Sequence, residues 1–445
     1  MVMNIFLQLV LVQLALWGSF HPLLGMGSTA GQDTVSLTDA DEGPYGKTVK
    51  EIRISNLRWT QPETIIRELA SQVGEPYLKE TAEKDVKRLD RLGIFSEVKI
   101  EPIEEGDGVV LEIEVKETFP YLPTISLEVS DVNGLSIGPG FKSINLRGRA
   151  ISFSAAARFG GATTLGASLE NPWFAGNHLS YGLEFDQRDR FNEFHDFTEV
   201  STEINLRLGS YLGEDGRIGG YFNFLSLGSD TPGITLSADN RDNTPSLAFF
   251  IGYDSRDLWT NPHQGWWNEV EVSENGGFLG GAGDFWRVTV DVRRFQPLAN
   301  RHTLALFSLT TLQTGTLGVE IPIYQDFHLG GANTIRGWGL DSARGKNQFI
   351  NTLEYRYDLM VPRAYSIFGV TIYLGLQAAL FGDLGIAWDD SRGNRWLDGY
   401  GFGIRLLIPF VDMVRIDFAF GEPGAGLTNQ FGLGAKAVQQ RKRIR

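Results

Sequence analysis

Residues 285–293 read Phe285-Trp286-Arg287-Val288-Thr289-Val290-Asp291-Val292-Arg293. Side chains alternate along an extended chain, so Trp286, Val288, Val290 and Val292 share one face, and Phe285, Arg287, Thr289, Asp291 and Arg293 the other. The same period runs through 200–208, where Val200, Thr202, Ile204, Leu206 and Leu208 oppose Ser201, Glu203, Asn205 and Arg207. It returns in 414–420, with Val414, Ile416, Phe418 and Phe420 opposite Arg415, Asp417 and Ala419. A soluble sandwich also alternates, with its apolar face inward. Here the apolar faces are long and unrelieved and the polar faces carry paired charges, as in a wall with lipid outside and a wet lumen inside. An open edge cannot be solvated in lipid, so such a wall must close. About sixteen such segments fit between residues 122 and 438, at about 20 residues per strand and turn, an even number as antiparallel closure expects.

The chain has 445 residues and a formal net charge of −14 with no basic stripe, so nucleic acid is not expected as a partner. It has no Cys, which excludes a disulfide framework, a thiolate metal site and a catalytic thiol. Beyond residue 30 no run approaches ~18 consecutive apolar residues, so membrane-crossing helices are excluded. The mean hydropathy of −0.13 is then an average over an alternating wall. The apolar run Ile5 to Trp17 and the small residues Ser28-Thr29-Ala30 predict an export signal over 1–30, cleaved after Ala30. Residues 31–46 are polar and read as a linker.

Residues 47–117 carry a different pattern. Val49-Lys50-Glu51-Ile52-Arg53-Ile54 alternates as a strand. Thr60-Gln61-Pro62-Glu63 offers a hydroxyl cap, a Pro in the first turn and an acid near the positive end, which predicts a helix running to Gly74. Ala82, Val86 and Leu89 share one face of a second helix over 79–92, ended by Gly93. Strands at 95–100 and 109–115 follow, joined by Glu105-Gly106-Asp107-Gly108. This βααββ order, with Leu92-Gly93-Ile94-Phe95-Ser96-Glu97-Val98 and the closing Val115-Lys116-Glu117, resembles a single POTRA domain. The resemblance implies a periplasmic module that binds unfolded client strands, for which an exposed sheet edge supplies unpaired backbone groups.

One connection exceeds a hairpin turn. Residues 315–345 make a loop of about 30 residues, long enough to suggest a function. It contains Gly330-Gly331-Ala332-Asn333-Thr334-Ile335-Arg336-Gly337-Trp338. This resembles the loop-six signature of the BamA/TamA outer-membrane assembly superfamily, hydrophobic-Arg-Gly-aromatic, carried here by Ile335, Arg336, Gly337 and Trp338. Phe381-Gly382-Asp383-Leu384-Gly385 and Gly401-Phe402-Gly403-Ile404-Arg405 resemble the strand motifs the family places opposite that loop. Tyr253-Asp254-Ser255-Arg256-Asp257 with Pro262 and Gly265 resembles a fourth family element. The resemblance covers 47–438 and implies Phe381, Asp383, Gly385 and Arg405 as barrel partners of the loop. Parity within 377–385 independently puts Phe381, Asp383 and Gly385 on the lumenal side, away from Ala378, Leu380 and Leu384. A poorly solvated guanidinium needs a carboxylate, and Asp383 is the first candidate for Arg336, ahead of Glu354 and Asp417.

No catalytic residue is expected, and the chain is not read as an enzyme. Gly134-Leu135-Ser136-Ile137-Gly138 matches a nucleophile-elbow pattern but lacks the strand–turn–helix context that motif needs. The six His, at 21, 178, 195, 263, 302 and 328, are scattered without HExxH spacing, so neither a metal site nor a cofactor is indicated. Asp389-Asp390 reads as solvated turn charge, and 439–445 as a basic tail behind a barrel over 118–438. That tail, after a last strand ending in small residues, departs from the terminal aromatic usual in the family. One POTRA module, where the principal assembly factor has several, points to an accessory or specialised member. The reading is a transmembrane β-barrel of about sixteen antiparallel strands in the outer membrane, preceded by one small α+β domain in the periplasm. The family resemblance implies that it captures client strands and inserts or translocates them. Its partners are then unfolded outer-membrane or secreted clients, membrane lipid and accessory periplasmic proteins. The alternatives are a dedicated two-partner-type secretion transporter and a passive pore or surface antigen.

Overall fold

A computed structural model describes residues 44–130, 133–176, 178–257, 261–367, 370–390, 394–408 and 412–433. The expected export signal, the linker up to residue 43 and the basic tail lie outside the described residues. Two compact units organise the chain: residues up to Tyr121 with Ile144–Ile151, and the rest.

In the first unit β1 (Thr48–Ser55), α1 (Pro62–Ile66), α2 (Lys79–Arg91), β2 (Phe95–Glu105) and β3 (Gly108–Glu117) follow in βααββ order. Central β3 runs parallel to β1 and antiparallel to β2. Ile65, Leu69, Leu89 and Leu92 pack against Ile94, Phe95, Ile113 and Val115. Past the end of α2, Gly93 adopts φ +66°, the left-handed stop that favours glycine.

The first helix is shorter than its sequence suggests. It was expected to run from Thr60 to Gly74, yet α1 stops at Ile66 and its N-cap is Gln61. Two carboxylates account for this. Buried Asp85 on α2 accepts the backbone N–H groups of Ala70 and Ser71, which a longer helix would need for its own carbonyls. Glu117 accepts the N–H groups of Arg58, Trp59 and Thr60 at 2.5, 3.0 and 2.6 Å, holding the loop that enters α1. Burial pushes the Glu117 carboxyl up, but these donors outweigh it and hold it below the usual range. A depressed carboxyl contributes stability above its ordinary value of about 4.3, and that contribution is lost as pH falls through the lower folded value. Glu117→Ala is expected to weaken this loop by about 1–3 kcal/mol. Amides 58–60 should then exchange faster with solvent, while those of a distant strand stay unchanged.

Among the described residues the second unit is a sixteen-stranded sheet with antiparallel registers. Its first strands are β4 (Tyr121–Ser130), β5 (Gly134–Leu146), β6 (Ile151–Gly160), β7 (Thr163–Ala175), β8 (Leu179–Asn192) and β9 (Phe197–Leu212). Next come β10 (Gly216–Ser229), β11 (Arg241–Asp254), β12 (Gly265–Gly276), β13 (Asp284–Ala299) and β14 (His302–Gln313). A small separate pair, β15 (Phe327–Leu329) and β16 (Ala343–Gly345), lies in the long connection. The wall resumes with β17 (Asn347–Ile367), β18 (Val370–Trp388), β19 (Arg395–Ile408), β20 (Asp412–Phe420) and β21 (Thr428–Leu433). Neighbours in the sheet are neighbours in sequence, with β14 beside β17. Strand β17 is longer than its alternation suggests, and Pro362 falls in the register break between Met360 and Arg363, where a missing N–H disturbs pairing least.

The two faces separate as the alternation requires. Thr289 and Asp291 are 6% and 1% exposed, whereas Trp286 and Val270, the cross-strand partner of Val290, are 47% and 42% exposed. Apolar side chains face outward and charged ones inward.

Candidate functional site

Residues 314–346 join β14 to β17 and carry the Arg336 segment into the sheet's interior. Fully buried Ile335 packs with Leu329, Ile350, Ala387 and Leu397. Gly385 leaves it room, since a Cβ there would lie 2.7 Å from Ile335 Cδ1. Gly337 has φ +89°, and a Cβ on it would meet the Phe420 backbone at 2.6 Å, so only glycine fits. Trp338 anchors the far side by donating its Nε1–H to the Asp398 carbonyl at 2.7 Å.

The Arg336 guanidinium is fully buried, and all three of its nitrogens donate to carboxylates. Its Nε and Nη2 donate to Asp383 Oδ2 and Oδ1 at 2.7 and 3.0 Å, a bidentate fork. Its Nη1 donates to Glu354 Oε2 at 3.2 Å and to Asp417 Oδ2 at 3.4 Å. The Phe381 ring lies 3.3 Å from the guanidinium carbon, a cation–π contact. Asp383 also accepts the Arg336 backbone N–H at 3.0 Å and the Thr352 hydroxyl at 2.7 Å.

Three further guanidiniums complete the cluster. Arg405 donates to Asp417 Oδ1 at 2.8 Å and Glu354 Oε2 at 2.9 Å. Arg356 donates to Glu354 Oε1 at 2.8 Å. Arg415 lies 3.3 Å from Asp417 and donates to the Ala332 carbonyl of the loop at 3.2 Å. All seven charged groups are at most 5% exposed, so each depends on the others for the solvation that water no longer gives.

The structure thus brings Ile335, Arg336, Gly337 and Trp338 against Phe381, Asp383 and Gly385, and joins Arg405 to Arg336 through shared Glu354 and Asp417. Sequence reasoning missed Thr352, Arg356 and Arg415. Their signal was parity: Thr352, Glu354 and Arg356 share one face of β17, and Arg415 and Asp417 one face of β20. In the motif further back, Arg256 forks onto Asp254 at 2.9 and 3.1 Å and stacks on Trp267. The Ser136 hydroxyl accepts the Ala162 N–H at 2.8 Å, a structural contact. Asp390 pairs with Lys346 at 2.6 Å. The reading of the histidines as scattered needs correction, because His195 and His328 meet at Asp326. Burial pushes the His328 ring down, but Asp326 and Asp341 outweigh it and hold it above the usual range.

The Omp85 superfamily domain matches residues 145–436. The chain belongs to the Omp85 superfamily. A POTRA match, described as a surface antigen variable number repeat, covers residues 47–118 of this Omp85 protein. Among curated relatives it is 24% identical over 402 residues to the outer membrane protein assembly factor BamA of Nitratidesulfovibrio vulgaris, covering 84% of this chain and 48% of that one. It is 22% identical over 404 residues to BamA of Neisseria meningitidis serogroup B, covering 80% of this chain and 49% of that one. The chain therefore spans about half the length of the curated relatives it matches. Its fold is similar to the crystal structure of Haemophilus ducreyi BamA lacking POTRA domains 1–3, with a TM-score of 0.60, 16% identity, and 86% and 83% of the two chains covered. It is also similar to CdiB from Escherichia coli, with a TM-score of 0.64, 13% identity, and 87% and 75% covered. This Omp85 protein is an outer-membrane β-barrel, with sixteen strands among the described residues, and its POTRA domain lies in the periplasm.

Proposed function

We propose that this Omp85 protein is an assembly factor: its periplasmic domain captures extended client strands, and its barrel inserts them into the outer membrane. The observation that carries this reading is the loop clamped by Arg336 through four adjacent strands, an investment of buried charge that a passive pore does not need. The POTRA sheet adds support. Its order β1-β3-β2 leaves β2 as an edge, and Glu101 on that strand is exposed, so an extended peptide can be added there by backbone pairing. Lipid contacts the outward apolar faces, and accessory periplasmic proteins dock on the same domain.

The test is a photo-crosslinker placed at Glu101 of the full chain in cells. Adducts with many outer-membrane proteins are expected. A single secreted adduct would identify a dedicated secretion transporter, and an absence of adducts together with unchanged growth after deletion of 47–117 would leave only a pore or surface antigen. Either result overturns the assembly reading.

A further inference from the structure

Outside the Arg336 cluster, three metal-ligating side chains from two different loops converge. Residues 193–196 join β8 to β9, and 314–346 join β14 to β17. By the alternation of the strands, both connections fall at the same end of the barrel. His195 Nε2 lies 2.9 Å, and His328 Nε2 2.6 Å, from the same Asp326 Oδ1. The three ligand atoms lie within 4.8 Å of one another. The side chains are 10%, 9% and 2% exposed for His195, His328 and Asp326, so the cluster is screened from bulk water.

The hydrogen-bond inventory of His328 is the informative point. Its Nδ1 lies 2.7 Å from Asp341 Oδ1, and Asp341 is in turn held by Arg344 at 2.5 Å. A neutral imidazole donates from one nitrogen only, so with Nδ1–H on Asp341 its Nε2 presents a lone pair. That lone pair faces a carboxylate oxygen that His195 also faces. In the protonated ring that nitrogen donates to Asp326 instead, and a cation bound between the two side chains would take the place of that proton while Nδ1–H stays on Asp341.

We propose that His195, Asp326 and His328 bind one divalent transition-metal ion of the zinc type, which clips the 314–346 loop to the 193–196 loop. Two imidazoles and one carboxylate are a donor set that suits this ion, with water completing a tetrahedron. Asp341 behind the non-ligating nitrogen of His328 is the outer-shell carboxylate that fixes the tautomer and ring orientation of a metal-bound histidine. Tetrahedral ligands at zinc distances stand roughly 3.3 Å apart, so the two spacings to Asp326 need to widen by about 0.4 and 0.7 Å. The Phe194 ring, stacked on His328 at 4.1 Å, closes one side.

The test uses the purified, chelator-stripped full chain titrated with Zn²⁺ and, for its visible spectrum, Co²⁺. Uptake of one ion per chain with the intense absorption of tetrahedral cobalt is expected. His195→Ala or His328→Ala should abolish that spectrum, and Asp341→Asn should weaken Zn²⁺ binding about 10–100-fold. Zn²⁺ should also slow amide exchange in both loops together, and in neither loop of His195→Ala. Heat-modified gel mobility checks that each variant is folded. Absence of uptake by the unmodified chain, or equal Zn²⁺ affinity in all folded variants, would show an imidazolium–carboxylate cluster only and overturn the proposal.

Discussion

Arg336→Ala is expected to cost the barrel about 3–5 kcal/mol, the usual penalty for removing one partner of a buried ion pair. Asp383 would keep the backbone N–H of that position and the Thr352 hydroxyl, but would lose both arms of the fork at 2.7 and 3.0 Å. Glu354 and Asp417 keep Arg405, so the orphaned charge is Asp383. Two comparisons isolate the cause. Arg336→Lys should fail nearly as badly, because one ammonium cannot fork onto Asp383 and still reach Glu354 and Asp417. Adding Asp383→Asn to Arg336→Ala should recover part of the loss by removing the orphaned charge. Heat-modified mobility and stability to denaturant in lipid vesicles are the measurements. Wild-type values for Arg336→Ala in both would show that the clamp does not hold the loop.

The second large effect tests which way the wall faces. Val290 lies near the middle of β13, paired with Val270 on an outward face that is 42% exposed at that partner. An arginine there meets the bilayer midplane and should cost about 2–4 kcal/mol. Its neighbour Thr289 points inward opposite Glu271, where a new guanidinium faces a carboxylate. Val290→Arg should therefore lower stability to denaturant in lipid vesicles much more than Thr289→Arg. Equal losses would mean that inside and outside have been exchanged.

What the sequence made legible follows one rule: features set by neighbours along the chain could be read, and those set across space could not. Period-two alternation is local, so sixteen spans were countable, and the same parity placed Asp383 on the lumenal side. The family motif then paired it with Arg336. The length of α1 was not readable, because the carboxylate that takes the N–H groups of Ala70 and Ser71 sits 14 to 15 residues away on α2. The histidine cluster was hidden for the same reason, since Asp326 lies 131 positions after His195. Arg356 and Arg415 were missed because a guanidinium on a lumenal face is ordinary until one knows that a loop fills the space before it.

The Arg336 cluster has a mechanical meaning as well as an electrostatic one. It takes Glu354 from β17, Asp383 from β18, Arg405 from β19 and Asp417 from β20, so one set of charges spans four consecutive strands. The loop tip reaches one strand further, where the Glu422 N–H donates to the Gly337 carbonyl and Gln430 Nε2 donates to the Trp338 carbonyl. Sliding any one of these strands past its neighbour would pull a buried charge from its partner. This quarter of the barrel is therefore a stiff panel, and a change in the barrel's circumference falls on the joints outside it.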